Sequence, residues 1–140
     1  MEKRLIALLS GITLACLMLS GCQNQSAVVS DLSSKIHLDS NGLVKFINSS
    51  MERVTDKAKN NVSVKVSWMF ENIAGRTINI LINVQFFDTA NKLIYNQTKT
   101  LVNMAAGHKE RGFSPANWVM YAGADAGKVD HVVITTTEIL

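Results

Sequence analysis

A strict two-residue alternation in the middle of the chain limits its possible folds more than any other feature of the sequence. Residues 62–71 place Val, Trp or Phe at every second position, with Ser, Lys, Met and Glu between them. Residues 77–86 repeat the pattern with Ile, Val and Phe. Because successive side chains of a β-strand point to opposite faces, each stretch predicts a strand with one apolar face on a core. The short break between the stretches predicts an antiparallel hairpin.

Weaker strand signals lie on both sides of this pair. They combine β-branched or aromatic residues with flanking Gly, Asn, Asp or Ser. The turn signal at residues 39–42 separates two of them, and a bulge is expected at residues 96–97. The further predicted strands are residues 35–39, 43–48, 93–96, 98–104, 109–113 and 129–140.

Three connecting segments carry their own local signals. In residues 87–92, Asp88 can accept hydrogen bonds from backbone amides and Asn91 tolerates positive φ. Residues 49–61 begin with a capping-box pattern that could form one or two helical turns, or be a solvated loop, and we favour the loop for most of it. Ser114 and Pro115 predict the start of a short helix that ends at Gly123.

Short strands with turns about every ten residues are typical of a β-sandwich. We therefore expect an all-β, immunoglobulin-like antiparallel sandwich at residues 35–140, with one short helical segment. Residues 22–34 are small and polar without a sustained period, which predicts a flexible tether. The domain would then follow a signal peptide at residues 1–21.

The first residues have the three parts of an export signal. Lys3 and Arg4 precede an apolar run from Leu5 to Leu19, and small residues then lead to Cys22. The run is shorter than the roughly 20 apolar residues that span a bilayer. The sequence Leu19-Ser20-Gly21-Cys22 resembles the lipobox of bacterial lipoproteins, which implies cleavage between Gly21 and Cys22. An ordinary secretory signal with a chance cysteine is the weaker alternative.

The predicted lipid anchor decides where the protein resides. Cys22 would carry a covalent diacylglycerol and an N-acyl chain, and several acyl chains give stable membrane attachment where one does not. No other cofactor is expected. Cys16 would be lost with the signal, so the mature chain could form no internal disulfide. In a two-membrane bacterium, Gln23 rather than Asp after the cysteine favours the periplasmic side of the outer membrane.

The charge pattern argues against a nucleic-acid partner. The formal net charge is +3, and removal of Glu2, Lys3 and Arg4 leaves +2. The remaining basic residues are scattered rather than clustered, so the basic surface that nucleic-acid binding needs is not predicted. The membrane and another envelope protein are the expected partners.

No catalytic or metal-binding pattern is evident. The three histidines, His37, His108 and His131, lack the spacing of metal ligands, and no Gly-x-Ser-x-Gly motif occurs. The carboxylates are dispersed, which does not favour a paired acid and base. We therefore predict a protein that is not an enzyme. An alternative is a periplasmic small-ligand-binding or enzyme-regulating lipoprotein, which would need a cavity near His108.

The candidate interaction patch is an apolar cluster in a predicted connection, formed by Trp118, Met120 and Tyr121. Large apolar side chains outside strands can mark a protein interface. The competing interpretation is that Trp118 and Tyr121 close the open end of the sandwich, since buried aromatic residues are common in cores.

Residues 62–134 resemble the FxLYD-type and YcfL-like domains of small bacterial envelope lipoproteins. The similarity lies in the residues 70–72, 82–88, Leu93, 106–109 and 129–134, and in the segment 114–117. Asn91 stands where such domains usually have Gly, and Ala106 where many have Pro. The resemblance implies an immunoglobulin-like sandwich in the cell envelope and no particular activity.

Overall fold

The computed structural model describes residues 27–110 and 117–140, which form two β-sheets packed face to face. The helical elements described in full are the short 3-10 turns Ser33–Lys35 and Ala126–Lys128. The predicted all-β sandwich is confirmed. Its strands are β1 (Ala27–Asp31), β2 (Ile36–Asp39), β3 (Val44–Asp56), β4 (Asn61–Asn72), β5 (Ile78–Phe87), β6 (Leu93–Met104), β7 (Lys109–Glu110), β8 (Trp118–Tyr121) and β9 (His131–Glu138).

The central strand order corresponds to that of an immunoglobulin-like sandwich, and the edges of the sheets differ from it. Sheet A has the order β1-β3-β4, and both β7 and β8 pair with β4 on its other side. Sheet B has the order β2-β9-β5-β6. The neighbours β3-β4-β8 and β5-β9 match the A-B-E and C-F pairs of the immunoglobulin fold. The edge beside β9 is taken by β2, which pairs with it in parallel.

The core lies between the sheets and is built from the alternating strands. Inward side chains of β4, β5 and β9 interdigitate, as the two-residue period predicts. Burying one such apolar side chain contributes about 1.5–3 kcal/mol, so this shared core is the main stabilising element. Its largest fully buried members are Trp68, Phe70, Phe86, Met51, Ile80, Ile82 and Ile134.

The predicted hairpin between the two alternating strands is wrong. β4 and β5 lie in different sheets, and their connection crosses from one sheet to the other. β4 instead pairs with β3, and β5 with β6. The alternation shows which side chains face the core, but two strands that each bury one face can equally well face each other across it. The turn at residues 39–42 is likewise a crossover, because β2 and β3 belong to different sheets.

The loop favoured for residues 49–61 is also wrong, because β3 continues to Asp56 and only residues 57–60 form the turn. A β-bulge between Phe46 and Asn48 explains the weak signal. Val44 is buried before the bulge and Met51 after it, so the buried positions change from even to odd numbers. A constant period of two therefore cannot recognise the whole strand.

The segment predicted as a tether and the segment predicted as a helix each contain a β-strand. Residues 27–31 of the expected tether are β1, which pairs with β3, and residues 33–35 form a 3-10 turn. Trp118–Tyr121 in the expected helix is β8. Both strands complete the edges of sheet A, so backbone pairing with a neighbouring strand outweighs their weak local signals. Ser114 and Pro115 lie outside the described residues.

The bulge predicted at residues 96–97 of β6 is wrong, and the irregular positions of this strand lie elsewhere. Asn96 and Gln97 pair regularly with Gln85 and Val84. The register instead shifts near both ends of the strand, between Leu93 and Tyr95 and again near Asn103, which has a positive φ of 56°. Of the short strand expected at residues 109–113, Lys109–Glu110 forms β7, and the rest lies outside the described residues.

The turn after β5 is confirmed. Asp88 Oδ1 accepts hydrogen bonds from the backbone amides of Ala90 and Lys92, both at 2.9 Å. Asn91 has a φ of 59°, in the left-handed region that Gly and Asn adopt most readily.

Candidate functional site

The predicted cleavage and lipidation residues, Gly21 and Cys22, lie outside the described residues. The first described residue is Ala27, at the start of β1. No helix within the described residues has the length and apolar character needed to cross a bilayer.

The register of β8 places Trp118 and Met120 on the outer face of sheet A. Trp118 is opposite Ser67, and Met120 is opposite Lys65, both at outward positions of β4. Val119 lies between them and faces the core, where it is 1% exposed. Met120 is 51% exposed, and Trp118 is half-buried. These two members of the predicted patch thus share one solvent-facing surface.

The Tyr121 side chain points to the core side of sheet A and fills one end of the core. Its ring stacks on Tyr95 of β6, with centroids 4.5 Å apart and the planes 13° from parallel. Phe86 lies 6.1 Å from the same ring. This contact joins β8 of sheet A to β6 of sheet B. Tyr121 therefore fills the end of the core, as the competing interpretation holds, and is not part of the surface that carries Trp118.

Two lysines from different sheets approach the Trp118 ring. The Nζ of Lys65 lies 5.6 Å from its centroid and the Nζ of Lys99 lies 5.9 Å from it. Both distances are within the range of cation–π attraction. Lys65 belongs to β4, whereas Lys99 belongs to β6 and reaches across from sheet B. The Trp118 surface, defined as Trp118, Met120, Lys65 and Lys99, thus combines two apolar side chains with two ammonium groups, and exposed Glu52 lies opposite Lys65 on β3.

Small side chains continue this surface across the sheet. Ser67 lies beside Trp118, and Ser50 follows it on β3. Their hydroxyl oxygens are 2.7 Å apart, so the two groups hydrogen-bond to each other. Because neither side chain rises as far as an indole, the ring of Trp118 borders a lower strip of the sheet. A protruding side chain of a partner could lie along this strip.

β8 is also a sheet edge. It pairs with β4 on one side, and no strand among residues 27–110 and 117–140 pairs with its other side. Unpaired backbone groups of an edge strand can bind an added strand from another chain. The edge and the Trp118 surface are adjacent, so one partner could contact both.

The structure brings two of the three histidines together. His131 stacks on Phe87 at 5.3 Å, and His37 meets His131 edge-on at 5.6 Å. His131 Nδ1 lies 3.1 Å from a carboxylate oxygen of Asp130. This hydrogen bond, together with one from Lys35, holds the pKa of Asp130 below its ordinary value. The described residues contain no group of three or more His, Cys, Asp or Glu side chains arranged to bind a metal ion.

His108 lies at the opposite end of the sandwich, beside a small open pocket. The pocket has a volume of about 190 Å³. Sites for drug-sized ligands usually enclose roughly 300–1,000 Å³ and have apolar walls with a few converging polar groups. This pocket is too small to enclose such a ligand. It is lined by Leu101, Val102, Asn103, Met104, Ala105 and His108.

Sequence reasoning did not find Lys65 and Lys99 as neighbours of Trp118. Lys65 occupies an ordinary outward position in an alternating strand, and Lys99 is 19 residues before Trp118 in a different sheet. No local pattern in the sequence joins the three side chains. Only the packing of β6 beside β8 brings them together.

Comparison of the chain with protein-family models, with curated proteins and with solved structures gives no match.

Proposed function

We propose that this protein is a lipid-anchored cell-envelope lipoprotein that binds another envelope protein without catalysing a reaction. The predicted lipid on Cys22 would hold it on the periplasmic side of the outer membrane. The Trp118 surface would provide the contact with the partner. The sequence resemblance to FxLYD-type and YcfL-like domains is in keeping with an envelope location.

The observation that carries the proposal is that an exposed Met and a half-buried Trp share the outer face at an edge of sheet A. Met120 is 51% exposed and follows Trp118 on the same face. Trp and Met are enriched at the centres of protein interfaces, where truncation of a Trp commonly weakens binding by about 2 kcal/mol or more. A surface of this composition is better suited to binding a protein than to remaining in water.

The charges beside Trp118 indicate the chemistry of the partner. Lys65 and Lys99 place two positive charges within 6 Å of the indole centroid. A complementary partner would insert an apolar side chain next to Trp118 and present carboxylates to the lysines. We therefore infer an acidic segment with an apolar anchor residue, lying beside the edge of β8.

Site-specific crosslinking tests this surface in the native membrane. A photoreactive amino acid at position 120 should crosslink a partner, and the same residue at position 102 should not. Val102 is a matched control because it is 62% exposed but lies on β6 of sheet B. The crosslinked segment of the partner should be acidic with an apolar residue. Equal capture at both positions would contradict the proposal.

Substitutions separate binding from stability. Trp118→Ala and Lys65→Glu should each abolish the crosslink from position 120 while the unfolding temperature stays close to that of the unaltered protein. Val102→Ala should leave the crosslink unchanged. If Trp118→Ala instead unfolds the domain, and Lys65→Glu leaves the crosslink intact, Trp118 has only a structural role.

The anchor is tested independently of the partner. Cys22→Ala should release the domain from the membrane or leave the signal peptide uncut, because no other residue of the chain can take the thioether-linked lipid after Cys16 is removed. Membrane fractionation and the apparent mass of the product measure both outcomes. A Cys22→Ala protein that is still processed and membrane-bound would contradict the lipoprotein assignment.

A further inference from the structure

The position of β1 limits how far the domain can extend from its predicted anchor. Ala27 is the first residue of β1 and pairs with Asp56 at the end of β3. Only residues 23–26 separate it from Cys22. Since an extended chain spans at most about 3.6 Å per residue, Ala27 can lie no more than about 18 Å from the lipidated cysteine. This limit is much tighter than a tether reaching to Ser34 would impose.

One end of the sandwich is therefore kept close to the membrane. We define the Ala27 end by Ala27, the turn at residues 57–60 and the turn at residues 88–92. The Asn72 end, with the turns at residues 73–77 and 105–108, is opposite. The twelve-residue strand β4 runs from one end to the other. At about 3.3 Å per residue, the two ends are about 40 Å apart.

The turn nearest to Ala27 projects positive charge. Lys57 and Lys59 are both exposed, and neither forms an ion pair with any residue in the described ranges. The neighbouring carboxylate of Asp56 is turned back onto the turn, where it accepts hydrogen bonds from the amides of Ala58 and Lys59 at 3.0 and 3.2 Å. The two ammonium groups are thus the outermost charges of this turn.

We propose that the Ala27 end of the domain rests on the membrane surface, with Lys57 and Lys59 contacting anionic phospholipid headgroups. This inference rests on the proposed lipid anchor at Cys22. Lysines near an anionic leaflet are attracted strongly enough that two of them favour the contacting orientation on the order of 30-fold. The Trp118 surface would then face sideways, along the membrane rather than towards it, because it lies on a sheet face between the two ends.

Energy transfer from each end of the domain to the membrane tests the orientation. The full chain, processed in cells and purified as a lipoprotein, is placed in vesicles of phosphatidylethanolamine and phosphatidylglycerol that carry a headgroup-linked acceptor dye. The donor dye is attached to Ala58→Cys at one end or to Ala106→Cys at the other. Both alanines are exposed turn residues. Transfer should be strong from position 58 and weak from position 106.

Charge reversal tests the role of the lysines. Lys57→Glu with Lys59→Glu should lower energy transfer from position 58. The control, Lys45→Glu with Lys109→Glu, makes the same change in net charge at the Asn72 end and should leave transfer from position 58 unchanged. High salt should also lower energy transfer from position 58, since screening weakens the attraction between lysines and anionic headgroups.

The outcomes distinguish this inference from the anchor itself. A protein that does not float with the vesicles overturns the proposed lipid anchor, and this orientation with it. A protein that floats but shows equal transfer from positions 58 and 106 overturns the orientation alone. Equal effects of the two charge reversals on transfer from position 58 would overturn the role of Lys57 and Lys59.

Discussion

The two ends of the sandwich are held together in different ways. At the Ala27 end, Asp56 and Asp88 each close their own turn by accepting hydrogen bonds from amides two to four residues ahead. At the Asn72 end, Asn72 Nδ2 lies 2.8–3.0 Å from the carbonyl oxygens of Met104 and Ala105, more than 30 residues away. The turns of the first end are closed by local contacts, whereas those of the second are joined across the two sheets by one side chain, and near the first end the sheets meet through the Tyr121–Tyr95 ring contact.

This difference explains why one end can project side chains into solvent and the other holds the connection between the sheets. Turns that satisfy their own amides leave their outer side chains free, so Lys57 and Lys59 can project from the Ala27 end. The Asn72 end instead fixes the crossover from sheet A to sheet B. The carbonyl of Arg76 in that crossover also accepts from Asn72 Nδ2 at 2.8 Å, and Asn72 Oδ1 accepts from the amide of Ala74 at 2.9 Å. Changes at the two ends should therefore differ in their cost.

The largest expected effect is the loss of the Asn72 side chain, which is 1% exposed. Asn72→Ala would remove the side-chain partner of one buried and three part-buried backbone groups, and we expect the free energy of unfolding to fall by about 3 kcal/mol. Urea unfolding of the purified protein measures the change. Asn96→Ala, at an exposed position of β6, is the control and should change stability by less than about 0.5 kcal/mol. Similar values for the two variants would show that the Asn72 end has no special role.

A smaller effect is expected from a local turn at the other end. Asp88→Ala removes an acceptor for two amides that water can otherwise reach, and it should cost about 1 kcal/mol, as the loss of a side-chain cap does in a helix. Asp88→Asn keeps an oxygen acceptor and should recover most of the loss. The same urea experiment applies. A cost as large as that of Asn72→Ala would remove the contrast between the two ends.

The smallest effect concerns an exposed ion pair at the Asn72 end. Arg76 donates to both carboxylate oxygens of Glu138, at 2.6 and 2.9 Å, and these hydrogen bonds lower the pKa of Glu138. A carboxyl group with a lowered pKa stabilises the folded state above its ordinary pKa of about 4.3. That contribution is lost as the pH falls through the lower folded value.

The unfolding midpoints of the unaltered protein and of Glu138→Gln should therefore differ slightly at neutral pH and converge in acid. Added salt should also reduce the difference, since the pair is exposed. Thermal unfolding measured as a function of pH is the test. A difference that stays constant into strong acid would mean that the ion pair does not link Glu138 to stability.

Several features of the fold could be predicted because their causes lie within a few residues. The alternation in β4 and β5 identifies their buried faces, and Asp88 and Asn91 identify a turn whose hydrogen bonds and positive φ are both observed. The three residues of the predicted patch do not share one face. Trp118 and Met120 share an exposed face, but Tyr121 belongs to the core because alternate residues of a strand point in opposite directions.

The sequence by itself determined that the described part of the chain is a β-sandwich and which side chains of its central strands are buried, because burial follows from a period of two. Tertiary structure decided which strands are neighbours. The placement of β4 and β5 in different sheets, the strand nature of β1 and β8, and the lysines beside Trp118 all depend on contacts between segments that are distant in sequence. Hydrogen bonds across a sheet can join any two strands of suitable register, so local residue patterns do not specify them.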